Sequence, residues 1–163
     1  MSIAYQLNGR TEHGVVYDVM RDEMFTASRG SGARLNQKRI RVASRNSLED
    51  AVVATAFPFR QRDKLQAYAR VFQGVLSKTE DFRRAGTASL DLAWVAAGRL
   101  DAYYEIGLQP WDVAAGTLLV REAGGVVLDF EGGDQVETAG SIVAAPYKLM
   151  APLQQIISKT WKA

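Results

Sequence analysis

The chain of 163 residues has no cysteine. That excludes disulfides, zinc–thiolate sites and thiol nucleophiles, and it suits a reducing cytoplasm. Histidine occurs once, as His13, in a polar stretch that reads as surface. Without a second histidine there is neither a metal-binding pair nor a histidine-based catalytic set. Charge of one sign is also scarce: 20 Lys and Arg face 18 Asp and Glu, for a net charge of +2. Basic residues gather only at Arg39, Arg41, Arg45 and at Arg83-Arg84, a weak patch rather than a nucleic-acid footprint. No apolar run reaches the ~18 residues that a membrane helix needs. The start, Met1-Ser2-Ile3-Ala4-Tyr5, lacks the basic-then-apolar layout of a signal peptide. A cytoplasmic location is therefore expected.

What is present reads as a globular chain. It is 47% hydrophobic and 23% charged, an ordinary soluble composition, and its length suits a single domain over residues 1–163. No repeat, linker or low-complexity tract interrupts it. Strands are predicted at Ser2–Leu7, His13–Met20 and Met24–Ala27, joined by turns at Asn8-Gly9 and Asp22-Glu23, an antiparallel meander. Gly30–Asn36 reads as a loop, with a hairpin or loop continuing into Ile40-Arg41-Val42, and its glycines fit no phosphate-loop spacing. Ala51–Ala56 is a short apolar run suited to a buried strand. Lys64–Leu76 has a helical period, with Leu65, Tyr68, Val71, Phe72 and Val75 as a buried stripe. Asp81–Ala85 reads as a short extended piece, and a helix runs from Gly86 or Thr87 to Ala97. Val126–Phe130 and Ser141–Ala144 are late strands, and Ala151–Trp161 is a closing helix. Alternating strands and helices in the second half imply an α/β arrangement, with helices packed on a sheet.

The most informative stretch runs from Leu100 to Gly125. A strand over Leu100–Ile106 ends on Glu105. After a turn, Pro110 fits the first turn of a helix, where its missing N–H costs nothing. Asp112 follows in that turn, Gly116 leaves room for a close approach, and Gly124-Gly125 ends the helix. Asp112 has two readings from its position: a carboxylate that complements the helix dipole, which spacing alone favours, or a metal ligand at a strand-to-helix junction. Thr87 is similarly open. It is a plain N-cap, or part of a helix start that binds phosphate or hydroxyl groups.

Four ordered motifs add to this. Trp111-Asp112-Val113-Ala114-Ala115-Gly116 resembles the W-D-x-A-[AG]-G signature of the inositol monophosphatase family, in particular its bacterial SuhB-like branch. Arg83 to Ala93 resembles the family's R-x-x-G-[ST]-A-A-x-x-[LM] segment. Asp101 to Gly107 resembles its D-[AG]-[YF]-[YF]-E-x-G strand, and Glu122-Ala123-Gly124-Gly125 its E-A-G-G turn. The similarity extends from about residue 2 to 146, with every segment in family order.

The resemblance implies a layered αβαβα sandwich with a mixed sheet and flanking helices, of which this chain is the C-terminal part. It also implies a magnesium-dependent, lithium-sensitive phosphomonoesterase acting on inositol phosphate or a related sugar phosphate. By motif position, Asp112 is a catalytic residue, ligating Mg2+ and touching the inositol hydroxyls. Gly86, Thr87 and Ala88 line the substrate, and Glu105 accepts a hydrogen bond from a ring hydroxyl. The family's D-P-[IL]-D-G-T metal loop does not occur in this sequence. Phosphatase activity of the chain alone is therefore expected at or near background. A homodimer is implied, with an apolar face in need of cover. The alternative is a regulatory module of transcription antitermination and ribosomal RNA maturation, contacting Nus factors and RNA polymerase.

Overall fold

The computed structural model describes residues 1–161. Five antiparallel strands form the first sheet in chain order: β1 (Ser2–Leu7), β2 (Arg10–Asp18), β3 (Glu23–Ser28), β4 (Gly32–Leu35) and β5 (Lys38–Arg39). Alternation sets its faces. Gly14, Val16 and Asp18 of β2 are buried, whereas His13 is exposed. Asn8-Gly9 and Asn36-Gln37 make the two tightest hairpin turns with positive φ at both residues.

Two expectations need correction here. β2 begins at Arg10 and stops at Asp18, not Met20. The Asp18 carboxylate accepts the Met20 N–H at 3.1 Å and also holds Arg21, which starts the turn early. The glycine-rich stretch takes the hairpin alternative, with a strand from Gly32 to Leu35 paired to Lys38–Arg39, so only its loop reading is corrected. Its free N–H groups are not a phosphate cradle, because the Glu122 carboxylate accepts those of Gly30 (2.8 Å) and Gly32 (2.7 Å).

The second sheet comprises β6 (Val52–Thr55), β7 (Asp81–Arg83), β8 (Ala102–Ile106), β9 (Gly125–Leu128) and β10 (Ser141–Pro146), in the order β7-β6-β8-β10-β9. β6 runs parallel to both β7 and β8, while β10 is antiparallel to β8 and β9, so the sheet is mixed. The helices are α1 (Leu65–Leu76), α2 (Ala88–Ala96), α3 (Pro110–Glu122), the single turn α4 (Val136–Ala139) and α5 (Tyr147–Trp161). α5 starts a turn before the expected Ala151 and carries Pro152 inside it. A proline in an amphipathic run reads as a start, and packing of Leu149 and Met150 extends the helix past it. Leu65 of α1 is exposed, so the buried stripe there is Tyr68, Val71 and Val75. The turn α4 was not anticipated.

Packing arranges these elements in layers. One core joins Val16, Phe25 and Ala33 of the first sheet to α2 and α3, and those helices to Tyr103, Ile142 and Ala144 of the second sheet. The other joins the opposite face of the second sheet, including Val53, Tyr104 and Val143, to α1 and α5. The order is sheet, helices, sheet, helices. α2 and α3 lie between two sheets, so they are apolar all round rather than striped. The close approach anticipated at Gly116 is made by α2: a Cβ there would sit 2.6 Å from Leu92 Cβ and Cδ1. On the outer face of the first sheet, register places Ile3 beside Val15, Tyr5 beside His13 and Tyr17 beside Met24. Ile3, Tyr5 and Met24 are exposed there, an apolar face that water contacts directly.

Candidate active site

Three parallel strands deliver their carboxyl ends to one edge of the second sheet. Ligands of open α/β sheets bind at such an edge. After β6, the chain Phe57-Pro58-Phe59-Arg60-Gln61 forms one wall of a cleft. After β7, Gly86-Thr87-Ala88-Ser89 leads into α2 and forms the second. After β8, Gly107 and Leu108 carry the chain from Glu105 to Asp112 in the first turn of α3. The cleft encloses about 270 Å³. All five site residues inferred from sequence, Gly86, Thr87, Ala88, Glu105 and Asp112, line it. They span 27 positions of sequence, and the β6-β7-β8 topology brings them together.

Asp112 is the third residue of α3, and its Oδ2 accepts the Gln109 N–H at 2.9 Å. The dipole-complementing role is therefore real. It occupies one oxygen and leaves the carboxylate on the cleft wall. Thr87 is the N-cap of α2, yet its side chain makes no capping hydrogen bond. Gly86, just before it, has φ +85°, a backbone region that glycine enters without strain.

Glu105 is half-buried and accepts a hydrogen bond from the Tyr103 hydroxyl. Burial raises its pKa above the ordinary glutamate value, the Asp112 charge raises it further, and the Tyr103 and Arg84 interactions oppose this. Behind the wall lies Asp91 of α2, fully buried, with neither carboxylate oxygen hydrogen-bonded. Burial lifts its pKa to about 7, with the Glu105 charge as the second cause. Gln61 also lines the cleft, and its buried Oε1 has no hydrogen-bond partner. Neither Asp91 nor Gln61 was singled out from sequence. For Asp91 the signal was a lone carboxylate inside the apolar run Leu90–Ala97; for Gln61 there was none.

Hard-cation donors are few. Among the described residues, no group of three or more His, Cys, Asp and Glu side chains is placed to hold a metal ion. Asp112, on the cleft wall with one oxygen uncommitted to the helix, fits a hard cation as a single ligand, not as a whole shell.

The model of the inositol monophosphatase family matches residues 1–163. The chain belongs to that family. It is 54% identical over 155 residues to the Nus factor SuhB of Pseudomonas aeruginosa, covering 94% of this chain and 57% of that protein. It is 52% identical over 144 residues to the Nus factor SuhB of Escherichia coli, covering 88% of this chain and 54% of that one. The chain thus spans about half the length of the curated relatives it matches. Among solved structures, the extragenic suppressor protein suhB of Bartonella henselae superposes with a TM-score of 0.94 at 44% identity, covering 97% of this chain and 60% of that one. The inositol monophosphatase of Anabaena superposes with a TM-score of 0.92 at 35% identity, covering 97% of this chain and 63% of its own. The two sheets and five helices match the fold of these inositol monophosphatase-family neighbours.

Proposed function

We propose that this chain forms the substrate wall of a metal-dependent phosphomonoesterase acting on inositol phosphate or a related sugar phosphate. The observation that carries the reading is the single cleft that Gly86, Thr87, Ala88, Glu105 and Asp112 share at the carboxyl edge of three parallel strands. In this reading Asp112 supplies one oxygen to Mg2+ and, through its carboxylate, meets the polyol. When bound, Mg2+ supplies Lewis-acid stabilisation of the phosphoryl oxygens and of an attacking water. Glu105 accepts a ring hydroxyl, and the Thr87 hydroxyl, which caps nothing, is left for the ligand. The Gly86-Thr87-Ala88 start of α2 presents backbone N–H groups, which favour an anionic or hydroxyl-bearing ligand.

One carboxylate does not build a multi-metal site, so the remaining cation ligands come from outside these 163 residues. Hydrolysis by the chain alone is at or near background. The test is a fusion of this chain to the part of a SuhB relative that lies outside the match, assayed for Mg2+-dependent release of phosphate from inositol 1-phosphate. The fusion turns over and its Asp112→Asn variant loses most of that activity. Full activity in the variant, or robust turnover by the chain alone, contradicts the assignment.

A second reading has its own support in the name that the relatives carry, Nus factor SuhB. In it the chain takes part in a transcription complex as a binding module, in the cytoplasm. The apolar outer face of the first sheet supports self-association or partner contact in either reading. Light scattering that finds only monomer refutes the homodimer. Retained binding to Nus factors and RNA polymerase by a catalytically dead Asp112→Asn fusion separates the two readings.

A further inference from the structure

A second cavity, of about 440 Å³, lies between the Asn8-Gly9 turn, the last turns of α3 and the turn α4. It shares no lining residue with the candidate active site. Three guanidinium side chains border it, Arg10, Arg29 and Arg121, against two carboxylates, Asp134 and Glu137. Both carboxylates make hydrogen bonds to groups other than these arginines, while their charges still act on Arg121. Glu137 accepts hydrogen bonds from Gln6 and Thr11, at 2.5 and 3.2 Å, and Asp134 accepts one from Gln135 at 2.9 Å.

The guanidiniums are less well matched. Arg29 pairs with Glu12 at 3.2 Å. Arg121 donates only to the carbonyls of Asp134 (3.2 Å) and Val127 (3.4 Å). Arg10 has no ion pair or hydrogen bond among the described residues. The Arg121 guanidinium is held below its ordinary range, chiefly by desolvation and also by the like charge of Arg29, against the opposing charges of Asp134 and Glu137. A fourth lining residue, Thr117 of α3, is 3% exposed, and its hydroxyl has no hydrogen-bond partner.

We propose that this cavity is a second ligand site, built to take a phosphoryl group through Arg10 and Arg121. Guanidinium forks match the oxygens of a tetrahedral phosphoryl group in geometry and charge. The site is independent of the candidate active site: it draws on no residue assigned to the substrate wall and needs no metal. The phosphoryl group belongs either to inorganic phosphate or to a small phosphate ester, and the cavity is roomy enough for both.

The test is titration of the 15N-labelled chain with inorganic phosphate and, separately, with glucose 6-phosphate. Both titrations contain a metal chelator and are run at constant ionic strength. The Arg10 and Arg121 side-chain Nε–H signals and the Thr117 amide are followed. The expected result is saturable movement of these signals, with the tighter of the two ligands identifying the source of the phosphoryl group. Arg121→Gln weakens binding by about tenfold or more, as expected for loss of a hydrogen bond to a charged group. Arg10→Gln, at an exposed and unpaired position that folding does not depend on, weakens it by about threefold or more. Non-saturating shifts, equal shifts on adding chloride, or affinity unchanged in Arg10→Gln overturns the proposal.

Discussion

Replacing Asp91 by asparagine changes the pH dependence of stability in a way the buried carboxylate dictates. Asp91 has no hydrogen bond to either oxygen, is fully buried, and titrates near a pKa of about 7 against an ordinary value of 3.8. A folded-state pKa above the unfolded one means that the folded protein binds the proton more tightly. Stability from this group is then fully present below about pH 4 and falls as pH rises towards 7, reaching its minimum above that. At about 1.36 kcal/mol per unit, the interval sets a ceiling of about 4 kcal/mol on the destabilisation at pH 8. The introduced asparagine carries no charge, but leaves an unpaired amide in the same place, at a cost of about 1–3 kcal/mol. The expected net gain for Asp91→Asn is about 1–3 kcal/mol at pH 8, with no gain or a small loss at pH 4. Urea denaturation of both proteins at several pH values between 4 and 8 measures it, and the difference curve cancels the titrating groups that are not coupled to Asp91. Parallel stability curves for the two proteins refute the reasoning, because they mean that Asp91 titrates alike in the folded and unfolded chain.

Gly116→Ala places a methyl 2.6 Å from Leu92 Cβ, an atom fixed to the backbone of α2, so the helices must separate. The overpacking cost of about 1–3 kcal/mol outweighs the roughly 1 kcal/mol gained in helix propensity, and thermal unfolding shows a lowered midpoint. Leu92→Gly removes the obstructing Cβ, and in that background Gly116→Ala costs less; a loss of the same size in both backgrounds contradicts the contact. Glu23 and Arg99 form two hydrogen bonds of 2.6 Å that tie β3 to the turn before β8. The hydrogen bond from Arg99 holds the Glu23 pKa below its usual 4.5, so this stability is present above that pH and lost as pH falls below it. Glu23→Gln is therefore expected to cost up to about 1 kcal/mol at pH 7, a cost that shrinks as pH falls through the lowered Glu23 pKa, by chemical denaturation.

Much of the fold is legible in local sequence because local physics decides it. Pro110 opens α3 and Gly124, with φ +89°, closes it, as the spacing implies. The hairpin at Asn8-Gly9 follows from two residue types that enter that turn easily. The glycine-rich stretch leaves hairpin and loop open in sequence because the deciding partner, Glu122, lies 90 positions away, where it satisfies the Gly32 N–H and lets a strand begin. The order of the second sheet is not local at all. It depends on β6 pairing with β8 across the whole of α1, β7 and α2. The cleft was legible at Gly86–Ala88, Glu105 and Asp112 through motif resemblance, whereas Asp91 acquires its meaning only when burial and Glu105 surround it.

The most direct measurement is the titration of the 15N-labelled chain with inositol 1-phosphate in the presence of Mg2+, read at the backbone amides of Thr87, Glu105 and Asp112. A substrate wall predicts saturable shifts at all three, lost in Asp112→Asn, whose amide oxygen still accepts the Gln109 N–H and keeps the helix capped. Silence at these amides, or shifts that survive the substitution unchanged, contradicts it.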